Sequence, residues 1–170
     1  MPRPGVKRRI RCPAQGGGQA RRSSAPCRAM PDTLGPSAGY GALIGYRLID
    51  WRPDYAEVEL QLGPQHLNGY GIPHGGLIAT LLDTACGFAG VYCAVPGNVR
   101  HAVTLSLTTQ FVGQMRDLGR LVAIGRRTGG GRSIYFATGE VLDGDGRLIA
   151  QATATFRYRK GSEDPAGQPR

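Results

Sequence analysis

The stretch Asn68 to Gly90, NGYGIPHGGLIATLLDTACGFAG, holds the residues best placed to do chemistry. One carboxylate, Asp83, interrupts an apolar helical run, and two glycines, Gly75 and Gly76, follow His74 where that run begins. Advancing about 100° per residue from Leu77 puts Leu77, Ile78, Leu81, Leu82, Ala85, Phe88 and Tyr92 in one broad stripe, with Asp83 at roughly 240° on the opposite side. Its neighbours there are Gly76, Ala79, Gly87, Gly90 and Ala94, a face stripped of bulk where a solvated helix ordinarily carries Lys, Glu and Gln. Such a face admits a backbone, a partner subunit or a substrate chain. The plain alternative is a carboxylate that points to water.

The glycine pair adds a second group. Gly75 and Gly76 open the helix, so their amides fall among its unpaired donors at the positive end of the dipole. Without side chains they leave room for a ligand oxygen to approach. A carbonyl polarised there, with a carboxylate two turns away, fits attack on an acyl group. A thioester has a good leaving group and little resonance stabilisation, so a carboxylate base or nucleophile suffices. Other hydrolytic and phosphate-binding signatures are missing: there is no GxSxG elbow, HExxH pair, GxGxxG before a helix or P-loop lysine.

These groups need a frame. LIGYRLIDWR and YAEVELQLG read as two strands, the second alternating Ala56, Val58, Leu60 and Leu62 against Glu57, Glu59 and Gln61, with a tight connection at Pro53-Asp54. The glycine-rich loop GPQHLNGYGIPHGG follows, long enough to imply a task. The helix is expected from Gly75 to about Ala94, stopped by Pro96-Gly97. AVTLSLTTQFV, GRLVAIGRRT, RSIYFATGEVLD and RLIAQATATFRYR then read as four strands joined by short turns. The DGDG turn, Asp143 to Gly146, lacks the closing glutamate of a calcium loop and reads as a hairpin. The fold class is α+β: an antiparallel sheet with one long helix covering its apolar face.

Charge separates this domain from what precedes it. The 170 residues carry a formal charge of +9, yet eight of the 21 basic residues and none of the 12 acidic ones lie in the first thirty. The remainder holds 13 basic and 12 acidic residues, so the basic character belongs to a tail and a nucleic-acid partner is disfavoured. That tail is poor in large apolar side chains and reads as disordered, with an electrostatic arm, a transit peptide or a true start at Met30 as alternatives. The expected organisation is a tail and linker over 1–40, a domain over 41–160 and a disordered tail over 161–170. Cys12, Cys27, Cys86 and Cys93 form no CxxC pair, so neither a disulfide framework nor a zinc or other metal site is expected, and a cytoplasmic setting fits. No membrane-spanning run is present.

Asn68, His74-Gly75-Gly76 and Asp83, at this spacing, resemble the hotdog-fold acyl-CoA thioesterases of the PaaI-like type, related to the 4-hydroxybenzoyl-CoA thioesterases. The resemblance runs from about Leu43 to Tyr158. It implies a long helix wrapped by a curved antiparallel sheet, paired into a homodimer or a dimer of dimers with active sites at the interface. It also implies an acyl-CoA substrate and no cofactor, CoA being part of the substrate. In that family's terms Asp83 is the general base or nucleophile, acting on a thioester held mainly by the other subunit, and the Gly75 amide meets the thioester carbonyl while Gly76 permits close approach. Asn68 positions water or the carbonyl, and Thr104 helps hold the attacking water. His74 orients the loop in preference to serving as base. Arg132, in GGGRS, either pairs with a CoA phosphate or is a solvated arginine in a hairpin.

Two other readings compete. A non-catalytic hotdog acyl-CoA sensor would keep the pocket without turnover, but the intact Asn68, His74, Gly75 and Asp83 set favours hydrolysis. A hotdog dehydratase would need a His-Phe-Pro type signature that this sequence lacks.

Overall fold

Pro53 and Asp54 turn the chain between its first two strands, and Asp54 takes a φ of 60°, a left-handed conformation that aspartate tolerates. In the computed structural model, which describes residues 39–115 and 118–170, strand β1 (Arg47–Arg52) pairs antiparallel with β2 (Tyr55–Gln61) across this turn. The basic tail expected over residues 1–40 falls outside the described residues except for its last two, and Cys12 and Cys27 fall outside with it. Part of the segment read as linker and first strand is instead a short helix, α1 (Gly39–Ile44), whose Tyr40 hydroxyl meets Thr80 Oγ1 at 3.1 Å.

A 3-10 turn at Pro64–His66 leads through the glycine-rich loop into α2 (Gly75–Gly90). The rest of the chain is β3 (Asn98–Val99), β4 (Ala102–Phe111), β5 (Arg120–Gly130), β6 (Ile134–Asp143), β7 (Leu148–Tyr158) and β8 (Gln168–Pro169). Six strands form one antiparallel sheet in the order β1-β2-β5-β6-β7-β4, while β3 and β8 pair separately. One long helix against an antiparallel sheet is the hotdog arrangement. Asp143 Oδ1 accepts from the amides of Asp145 and Arg147, so DGDG is a hairpin turn between β6 and β7.

The predicted stripe of α2 buries Leu77, Ile78, Leu81, Leu82 and Ala85 against Val58, Leu60, Leu121, Ala123 and Val141 of the sheet. Each fully buried leucine or valine contributes roughly 1.5–3 kcal/mol relative to exposure. Close contact depends on two glycines. A Cβ on Gly125 would overlap the Ala85 carbonyl, and one on Gly90 would overlap the Tyr135 ring. Gly90 thus belongs to the packing face, a correction to its placement beside Asp83, because Tyr135 reaches across to fill that side.

The helix ends at Gly90, a turn before the expected Ala94. Its last carbonyls have better partners than further helix would supply. Trp51 Nε1 donates to Phe88 O at 2.8 Å, the Tyr135 hydroxyl to Gly87 O at 2.9 Å and the Tyr158 hydroxyl to Gly90 O at 2.9 Å. The Arg100 guanidinium reaches the carbonyls of Gly90 and Tyr92, a cation where the dipole is negative.

Residues 161–170, expected to be without structure, fold back on the domain. Ser162 is fully buried and its Oγ accepts the His101 amide at 2.9 Å, while Val99 pairs with Gln168. Polar and backbone bonds hold this segment, which is why its apolar content does not announce it. Among the described residues no helix is long and apolar enough to cross a membrane.

Candidate active site

The Thr104 hydroxyl donates to Asp83 Oδ1 at 2.8 Å. A bulge in β4 makes this contact. Thr104 is level with Phe156 and Ser106 with Thr155, so Leu105 is an extra residue against β7. Leu107 and Thr109 are half-buried, and strict alternation would put Leu105 and Val103 on their side. The bulge inverts that parity: Val103 and Leu105 stand 47% and 53% exposed, and Thr104 turns to the helix. Because a carboxylate accepts the hydroxyl proton, the second carboxylate oxygen stays open to a further donor.

Asp83 and Thr104 stand at the edge of a cavity of about 620 Å³. Trp51, Phe88 and Tyr92 also line it, with Trp51 edge-on to both rings at centroid separations of 5.6 and 5.5 Å. This is an apolar recess of the size that takes a small organic group, with a hydrogen-bonded carboxylate at its edge. Nearby Cys86 is fully buried, and its thiol is pushed up to about 12, first by burial and then by the charge of Asp83, so it is held as a neutral thiol.

A second group of residues gathers at the start of α2. His74 is the N-cap, and its Nδ1 accepts the Gly76 amide at 2.9 Å. Both glycine amides were expected to be open, but His74 occupies one of them, and the Gly75 amide alone has no partner among the described residues. Asn68 Oδ1 accepts from the amides of Tyr70 and Ile72, at 2.9 and 3.4 Å, and so shapes the loop, leaving its side-chain amide as a donor. Arg132 belongs to neither group: it is exposed between β5 and β6 and does not line the cavity at Asp83.

His66 is the residue that the sequence did not mark. It is 5% exposed, with Nδ1 accepting the Gly63 amide at 2.8 Å, Nε2 lying 2.9 Å from Ile44 O, and its carbonyl accepting the His74 amide at 2.9 Å. It ties α1, the 3-10 turn and the helix cap together. Nothing in the sequence separates it from the exposed His101. Trp51 and Arg100, which fix the C-terminal end of α2, were equally unmarked.

Comparison with known proteins agrees with this architecture. The sequence model of the thioesterase superfamily matches residues 70–150, a span that contains His74, Asp83 and Thr104. An esterase-named protein of Pseudomonas aeruginosa is 32% identical over 99 residues, covering 58% of this chain and 72% of the relative. The E. coli PaaI protein from the phenylacetic acid degradation operon superposes with a TM-score of 0.62 at 21% identity, over 71% of this chain and 84% of that one. A Streptococcus mutans protein solved bound to acetyl CoA superposes with a TM-score of 0.59 at 23% identity, over 74% of this chain and 91% of that one. A carboxylate-edged cavity on a helix held by an antiparallel sheet, the matched span and the esterase-named relative lead to one assignment: the chain belongs to the thioesterase superfamily.

Proposed function

We propose that the protein hydrolyses an acyl-CoA thioester, with Asp83 as general base or nucleophile. The observation that carries this reading is the Thr104-oriented carboxylate at the edge of the aromatic-lined cavity. As base, Asp83 takes a proton from water as the water oxygen bonds to the thioester carbon. The carbonyl oxygen gains charge and is met by the Gly75 amide. Collapse then expels the CoA thiolate, which accepts the proton. Asn68 offers its side-chain amide to the water or the carbonyl. Arg132 is available to a CoA phosphate. The acetyl CoA found on the Streptococcus mutans protein supports a CoA ester as substrate.

This chemistry needs two copies of the chain. Gly75 and Asp83 are eight residues apart on one helix, about 12 Å along its axis, too far to share a carbonyl. Edge strand β4 offers the solution. It is ten residues long and carries exposed Val103, Leu105 and Phe111, an edge that invites pairing. Thr104 sits by Asp83, while at the other end a Cβ on Gly75 would touch the Phe111 ring at 3.4 Å. Antiparallel pairing of two β4 strands about a two-fold near Leu107 would set Thr104 of one copy against Gln110 or Phe111 of the other. Asp83 then faces the partner's Gly75 amide.

Free-thiol release from a panel of acyl-CoAs, with Asp83→Asn as control, tests the reading. Hydrolysis that is lost in the variant is the expected result. Acyl-CoA binding without hydrolysis would make the protein a sensor instead.

A further inference from the structure

The cavity that starts at Asp83 also has a far end, built by residues remote from the helix in sequence. Gly97, Asn98 and Val99, in and beside β3, and Arg170, just past β8, line the same space as Asp83 and Thr104. From Asp83 to Gly90 the helix advances about 10 Å, so a group leaving the carboxylate along Phe88 and Trp51 meets this ribbon after crossing most of the cavity.

The ribbon is anchored at several points. Ser162 accepts Arg100 Nε on its carbonyl at 3.0 Å as well as the His101 amide on its hydroxyl. Asn98 Nδ2 donates to Ala166 O at 2.8 Å, and the Arg170 amide donates to Gly97 O at 3.2 Å. Gly167 has a φ of +68°, and a Cβ there would come within 2.7 Å of Val99 O, so the turn into β8 presses against β3. These contacts hold the ribbon in place as part of the wall of the cavity that Asp83 also lines.

We propose that the β3–β8 ribbon is the end stop of the acyl pocket and sets the longest acyl group the protein accepts. This rests on the acyl-thioester reading above. Residues 163–170 are then a specificity element, although they lie far from Asp83 in sequence.

The test uses straight-chain acyl-CoAs of graded length for hydrolysis and their non-hydrolysable thioether analogues for binding by calorimetry. A chain ending at Ser162 removes β8 and keeps the Ser162 anchor, and Arg170→Ala truncates a single residue of the cavity lining. In the shortened chain the ratio of kcat/KM for the longest over the shortest substrate should rise by at least about tenfold, a change of the size that pocket fit controls. Binding of the longest thioether should strengthen in parallel, and Arg170→Ala should shift both in the same direction by less. Unchanged length profiles in a folded shortened chain overturn the proposal; should that chain fail to fold, an unchanged profile in Arg170→Ala does so. If no thiol is released but the binding limit still moves, the end stop stands and the catalytic reading falls. Failure to bind a thioether of any length overturns both.

Discussion

Thr104 reaches Asp83 only because Leu105 bulges out of β4, so a backbone irregularity aims the one side chain that hydrogen-bonds the carboxylate among the described residues. The contact fixes one carboxylate oxygen and leaves the other open to a further donor. Thr104→Val, which keeps the shape and removes the hydroxyl, should lower kcat by about tenfold, or ~1.4 kcal/mol, with little change in the melting temperature. Asp83→Asn should lower it by roughly 10²–10⁴, the range general-base catalysis supplies. Steady-state thiol release on both variants checks the order; equal losses would mean that Thr104 does more than orient.

Gly75 is the first residue of α2, and His74 before it has φ −65° and ψ 132°. Proline is accommodated at a helix N1 position and requires an extended residue before it, so Gly75→Pro removes the amide without disturbing the helix. Loss of one oxyanion donor should reduce kcat by about 10²–10³ while thermal stability is kept. A kcat near that of the wild type would remove Gly75 from the chemistry.

His74 caps α2 through Nδ1, a role that asparagine also performs. His74→Ala should therefore cost about 1 kcal/mol of stability, and His74→Asn should restore most of it together with most of the activity. Denaturant titration and kinetics on the pair separate a cap from a base, because a base would be lost equally in both.

Alkaline pH should loosen the fold through Cys86. Burial first, and the charge of Asp83 second, raise its thiol from the usual 9.0 to about 12. The unfolded chain releases that proton near 9.0 while the folded chain retains it, so the fold is penalised only above the unfolded value. Stability should be flat below pH 9 on this account and fall from pH 9 toward 12. Burial pushes the Tyr135 phenol up as well, with the same sign. Melting temperatures across this range, with Cys86→Ala showing a shallower fall, check the assignment.

Much of this was legible in the residues. The apolar period of α2 and the strand alternation follow from side-chain geometry, and Asp83 stood out as a charge on a face of glycine and alanine. The HGG sequence marked the helix start for a similar reason. What escaped depends on the backbone or on distant partners. No residue type announces the bulge at Leu105, so Thr104 follows from the family resemblance and not from strand alternation. Capping of Gly76 by His74 needs a rotamer, and the hold of His66 on Gly63 and Ile44 needs three segments to meet. Residues 161–170 pack through Ser162 and backbone carbonyls, contacts that leave no hydrophobic trace.

The most direct test of the two-copy site is to co-express Asp83→Asn and Gly75→Pro chains, each strongly impaired alone, and to measure thiol release from the mixed oligomer. If each site joins Asp83 of one copy to Gly75 of the other, one site of every mixed dimer is whole and activity returns. Folded mixed dimers that stay inactive, beside an active wild type, would contradict a site shared between two copies.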